Sequence, residues 1–302
     1  MRSFFEKPVA AFSPNPSNIK PPTRFGATIG LVVVFCAFFV SAFAPILAPF
    51  EPTLSVATAF SPADEEFLLG TDELGRDSLS RLIYGLRNLV WVASATSLLS
   101  ITIGLCAGVT AIVLGGWLNR TIFVLAHAIS TLPALYWGFF FGALFYVPSS
   151  LSLIIAITIP FSGRVFRLCS SETMGAALEN AYTASKSGSA VLWFGVAGKF
   201  VRQEIVFLAA MLGNIFNATI LVVFSLSFIG LGIQPPHSSL GRFIAENATL
   251  ISFGDYTPAL PFLIVIPLVM SVYILNDNVL RRTGRNLVPS IRTHGPVWDL
   301  QR

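Results

Sequence analysis

The side chains able to do chemistry sit in a few short stretches of this 302-residue chain. Residues 70–81, GTDELGRDSLSR, place Asp72, Arg76, Asp77 and Arg81 close together. Carboxylates and guanidiniums at this spacing can pair with one another, cap a helix or meet a charged partner. Residues 178–194, LENAYTASKSGSAVLWF, set Glu179 and Lys186 in a run of small and polar residues that is rare in so apolar a chain. Residues 195–200, GVAGKF, approach a phosphate loop but fail as one: Phe200 follows Lys199 where a hydroxyl must hold magnesium, and the glycines are too close together. Cys36, Cys106 and Cys169 lack metal-ligand spacing and are expected to be small packing residues. His127 is expected to be packed rather than reactive. No paired-carboxylate site, His-Glu metal helix or nucleophile elbow is present, so no catalytic residue and no metal ligand is assigned.

The elements that must position these residues are apolar. Hydrophobic residues make up 54% of the chain and charged ones 11%, against about 25% charged in a soluble domain. The mean hydropathy is +0.74. Runs near 26–47, 89–114, 122–146, 151–168, 205–231 and 259–280 predict six transmembrane helices, each close to the roughly 20 residues that span a bilayer. The first run ends in SAFA, which resembles a cleavage site, but Pro45 and the long polar lead predict a retained helix. With the N-terminus inside, fifteen of the 19 Lys and Arg fall on cytoplasmic segments, leaving Arg76, Arg81, Arg87 and Arg242 outside. That asymmetry orients both termini and residues 178–194 to the cytoplasm. It also accounts for the net charge of +4 without a nucleic-acid surface.

Residues 1–24, rich in Pro, are expected to form a cytoplasmic tail, 25–285 the transmembrane domain and 286–302 a second tail. Within the domain, an outer loop with an interfacial helix is expected near 48–88, a cytoplasmic loop near 169–204 and an outer loop near 232–258. Leu79, Leu82, Ile83, Leu86 and Val90 predict an amphipathic helix that turns into the membrane, capped by Asp77, which also pairs with Arg81. No charged residue lies between Arg120 and Arg164, between Glu204 and Arg242 or between Asp255 and Asp277. Ion-coupled carriers place ionisable groups within the membrane, so uphill transport by this chain alone is disfavoured, although a passive channel is not.

Three stretches resemble the inner-membrane permease subunits of bacterial ABC importers of the dipeptide, oligopeptide and nickel class. Residues 68–87 match the family's G-T-D-x-x-G-R-D-x-x-S-R-x-x-x-G pattern at Gly70, Thr71, Asp72, Gly75, Arg76, Asp77, Ser80, Arg81 and Gly85. Residues 226–236, LSFIGLGIQPP, are similar to the outer end of the fifth span and supply Gly230, Gly232, Gln234, Pro235 and Pro236. Residues 178–194, with Glu179, Ala181 and Tyr182, resemble the coupling loop E-A-A-x3-G-x9-I-x-L-P, with Ala184 and Ser185 at the paired small positions and Lys186 at the basic position. There the glycine position falls on Ser189, with Gly188 one residue early, and the proline position is taken by Arg202.

The resemblance implies an all-α membrane protein with the six-helix, type I ABC importer permease fold, the second or C-type permease of its pair. It implies a second homologous permease, two ABC ATPase subunits that carry the ATP and magnesium, an extracytoplasmic solute-binding protein and an inner-membrane location. No cofactor is expected on this chain. Peptides are the expected solutes, nickel or another small solute the alternative. Pro133 in the third span and Pro160 at the inner end of the fourth are expected to kink helices and free carbonyls toward a path shared with the partner permease.

Overall fold

The computed structural model describes residues 24–114, 116–144, 149–169 and 189–282. Every regular element among them is helical. Helix α1 (Arg24–Ala42) is followed by the short α2 (Ala44–Leu47) and an irregular loop. Then come α3 (Ser78–Leu114), α4 (Gly116–Thr131), α5 (Ala134–Leu144) and α6 (Ser150–Cys169). The 40-residue α7 (Ser189–Phe228), α8 (Leu240–Asn247), two single 3-10 turns and α9 (Leu260–Arg282) complete the chain.

Helix α3 is the centre of the bundle, packed along α6 and α7, while α1 lies on α9 and α9 on α7. Large side chains such as Ile157, Phe161 and Ile220 fill the core, while small residues such as Gly104, against Val165 and Ser162, allow close helix approach. Thr96, Ser97 and Ser100 of α3 are wholly buried. On the outside, Ile29, Leu98, Leu263 and Ile266 are exposed, as a surface solvated by acyl chains requires. Among the described residues, five helices are long and apolar enough to span a bilayer, and six if the bent pair α4–α5 counts as one span. The chain is an all-helical, multi-pass membrane protein.

The amphipathic segment that begins at Ser78 turns into the bundle as expected, running unbroken along α3 with Leu82, Leu86 and Val90 buried. Three elements differ from expectation. The third span is broken, Arg120–Thr131 and Ala134–Leu144 meeting at 86°. Pro133 explains the break: it has no N–H to give the Ile129 carbonyl four residues back, and it disfavours helix at Leu132. That freed carbonyl does not stay open, since the Trp137 indole N–H donates to it at 3.2 Å. Pro160, by contrast, lies at the middle of α6 rather than its end, buried, and the helix continues through it.

The third difference concerns the cytoplasmic loop expected over 169–204. From Ser189 onward this segment is already helix and continues without interruption into the fifth span. Arg202 stands where the family pattern has proline, so nothing removes a backbone donor or forces a break there.

Candidate functional site: an ion-paired latch and its cleft

The loop before α3 is shaped by its own backbone. Asp72 Oδ1 accepts the N–H groups of Leu74 at 2.8 Å and Arg76 at 2.9 Å, which closes a tight turn. Gly75 completes it at φ +72°, and a Cβ there would stand 2.0 Å from the Ala57 carbonyl oxygen. The Gly75 carbonyl in turn accepts the N–H of Val56 at 2.9 Å and holds the loop against the turn. Thr71 donates its hydroxyl to the Thr58 carbonyl at 2.7 Å and accepts the Ser61 N–H at 2.9 Å. The Gly70 carbonyl accepts the Ser78 N–H at 3.1 Å.

Asp77 caps α3: its Oδ2 accepts the Ser80 N–H at 2.8 Å and the Ser80 hydroxyl at 2.6 Å. It does not pair with Arg81, as its spacing predicts. An N-cap side chain turns back over the first-turn N–H groups, and here Ser80 occupies its oxygen. Arg81 instead bonds Asp72 Oδ2 through Nη1, and Glu246 Oε2 at 2.5 Å through Nη2. Its guanidinium also lies 5.3 Å from the centre of the Phe243 ring.

Around this pair the cluster extends in both directions. Arg76 Nε donates to Asp72 Oδ2 at 2.6 Å and its Nη2 reaches Glu246 at 3.4 Å. Arg242 Nε donates to Glu246 Oε1 at 2.5 Å, and its Nη1 to Gln234 Oε1 at 2.7 Å. Asp72 is wholly buried, Arg81 nearly so and Glu246 largely so. These are interior charges rather than the weak exposed pairs that local spacing suggests. Burial alone would raise the Glu246 carboxyl. The Arg242 hydrogen bond and the charge and hydrogen bond of Arg81 outweigh it and hold that group below the ordinary carboxylate range.

The second motif ends α7 beside this cluster. Gly230, at φ +89°, takes the left-handed position after the helix. Its N–H bonds the Ser227 carbonyl at 3.2 Å, and the Leu231 N–H reaches Leu226 at 2.8 Å. Gln234 Nε2 donates to the Gly230 and Gly232 carbonyls at 2.6 and 3.2 Å, which fixes its amide with the oxygen toward Arg242. Gly232 packs on Ser227. Pro235 follows in the loop to α8, joined to Pro236 by a cis bond.

The first two sequence motifs therefore meet at one end of the bundle, the end of α7 remote from Ser189, with α8 between them. Arg242 and Glu246 complete their meeting and are absent from the motif reading. Their signal was an i,i+4 pair of opposite charge after a long uncharged stretch. Glu179, Ala181, Tyr182, Ala184, Ser185, Lys186 and Gly188 lie outside the described residues, and Ser189 opens α7. Pro133 and Pro160 stand apart from the cluster, on the α4–α5 break and in α6. His127 bonds the Phe123 carbonyl at 2.9 Å and stacks on that ring, and the three cysteines are free.

No family model matches the chain. It is 29% identical to the dipeptide transport system permease protein DppC of Haemophilus influenzae over 84% of this chain and 88% of that protein. It is 28% identical to the di/tripeptide transport system permease protein DppC of Pseudomonas aeruginosa, over 84% of each chain. A putative peptide transport system permease protein of Brucella suis is 27% identical over 72% of this chain and 74% of that one. A multi-pass helical bundle with two motifs folded into one latch, the chain is similar over most of its length to permease proteins of bacterial peptide transport systems.

Proposed function

We propose that this chain is a permease subunit of an ATP-driven peptide importer and forms half of a translocation path in the bacterial inner membrane. The observation that carries the reading is the match to peptide permeases across 84% of the chain, which includes both motifs of the latch. In this reading a second permease supplies the other half of the path. Two ATPase subunits hold ATP and magnesium, an extracytoplasmic binding protein delivers the solute, and this chain catalyses nothing. Both termini are cytoplasmic, which follows from the Lys and Arg asymmetry. Residues 179–189 are the contact with the ATPases. Ala181, Ala184, Ser185 and Ser189 allow close backbone approach, Tyr182 is an anchor, and Lys186 faces an acidic rim.

The test is uptake of a labelled dipeptide by the reconstituted transporter. ATP-dependent uptake that is lost in Ala184→Arg, with membrane insertion unchanged, is the expected result; normal uptake by that variant removes the coupling assignment. Flux through the purified chain alone in ATP-free liposomes would identify a passive channel instead.

A further inference from the structure

The latch leaves one of its guanidiniums incompletely used. Three guanidiniums, Arg76, Arg81 and Arg242, are paired with two carboxylates, Asp72 and Glu246, while Asp77 is engaged by Ser80. With Asp77 counted, three positive and three negative charges balance, so what the latch has to spare is a hydrogen-bond donor rather than a charge. Arg242 is the most exposed of the three, its side chain 29% accessible against 14% and 4% for Arg76 and Arg81. Its Nε and Nη1 are held by Glu246 and Gln234, whereas Nη2 has no hydrogen-bond partner among the described residues.

Arg242 and Gln234 line an open cleft of roughly 400 Å³ between the end of α7 and α8, a size within the range of about 300–1,000 Å³ typical of small-ligand sites. Phe228 and Ile229 provide an apolar wall, both about half exposed. Gln234 is itself fixed by the Gly230 and Gly232 carbonyls, so the guanidinium plane is set before any ligand arrives. The Glu246 carboxylate, also in the wall, already accepts from three arginines and leaves little negative field to repel an anion.

We propose that this cleft is a carboxylate-binding site, in which Arg242 receives the terminal carboxylate of a peptide while the Phe228–Ile229 wall receives an apolar side chain. This rests on the peptide-importer reading and places the site at the outer mouth of the path. A planar guanidinium with a free edge suits a carboxylate better than a point charge does.

Dialanine and dialanine amide, which differ only in the charged end, are the probes, titrated by saturation-transfer NMR against the purified full chain in lipid nanodiscs without a binding protein. The expected result is binding of dialanine, at least tenfold weaker binding of the amide, and at least tenfold weaker dialanine binding by Arg242→Gln that retains the helical circular-dichroism spectrum of the parent. Equal affinity for acid and amide, or no dialanine binding, overturns the proposal without recourse to any variant. In cells carrying the complete transporter, Arg242→Gln is expected to slow uptake of subsaturating dialanine about tenfold. Weakened binding with unaltered uptake would assign the carboxylate to a docking protein and overturn the role in the path. No uptake by the unsubstituted transporter would sink the importer reading, while the nanodisc measurement still judges the site.

Discussion

Glu246 accepts hydrogen bonds from three arginines that come from two separate parts of the sequence, which makes it the joint of the latch. Its carboxyl sits below the ordinary value of 4.5 in the folded protein. The stabilisation is therefore fully present above the unfolded value and is lost as pH falls through the lower, folded one. The thermal midpoint of the purified protein is expected to fall as the pH is taken from neutral to below about 4.5. Glu246→Gln removes the joint's charge at every pH. It is expected to cost about 3 kcal/mol at neutral pH, the scale of breaking a buried pair, and to flatten that acid limb. An acid limb as steep in the variant as in the parent would place the sensitivity in another group. Only the pairs four residues apart, Asp72 with Arg76 and Arg242 with Glu246, were legible from spacing. Asp77 and Arg81 stand four apart and suggest a partnership, but Arg81 reaches back nine residues to Asp72 and forward 165 to Glu246. Local periodicity carries no information about a partner on another element.

The break between α4 and α5 is a property of the element, and Pro133 made it readable in advance. What replaces the lost bond was not readable, because Trp137 is just another apolar residue until the chain has turned by 86° and brought its indole to Ile129. Trp137→Phe keeps the ring and leaves that carbonyl without a donor. The expected loss is about 0.5–1.5 kcal/mol of unfolding free energy in detergent, the net worth of one hydrogen bond to a part-buried group; an unchanged midpoint would mean that water or a backbone shift serves the carbonyl instead. The spans themselves were legible because runs of this length and hydropathy have few alternatives in a bilayer. The helical start of α7 was not. Its first residues, SAVLWFGVAGKF, carry two glycines that weaken a helix, and the family pattern expects a proline that this chain lacks.

At the scale of the whole molecule, the fold puts the latch at one end of the bundle and the start of α7 at the other. In the proposed topology, read from the distribution of Lys and Arg, the latch end faces outside. In a background free of the three native cysteines, Glu65→Cys in the exposed loop before α3 is expected to react with a membrane-impermeant maleimide added to intact cells. Labelling only after permeabilisation would invert the topology. The charge asymmetry could orient the chain from sequence because it depends on counts along loops and not on any three-dimensional contact.

Helix α7 carries a consequence of its own. Its 40 residues make a rod of about 60 Å, roughly twice the thickness of the hydrocarbon core. A rod of this length exceeds the core it crosses, so part of it extends beyond the membrane. A rod of this kind behaves as a lever with its fulcrum in the membrane: a tilt of about 5° displaces one tip by about 5 Å relative to the other. The far tip carries Gly230 and the turn that sets Gln234 against Arg242. Without a proline to act as a flexible joint, a push on the Ser189 end reaches the cleft as displacement rather than being absorbed as local bending.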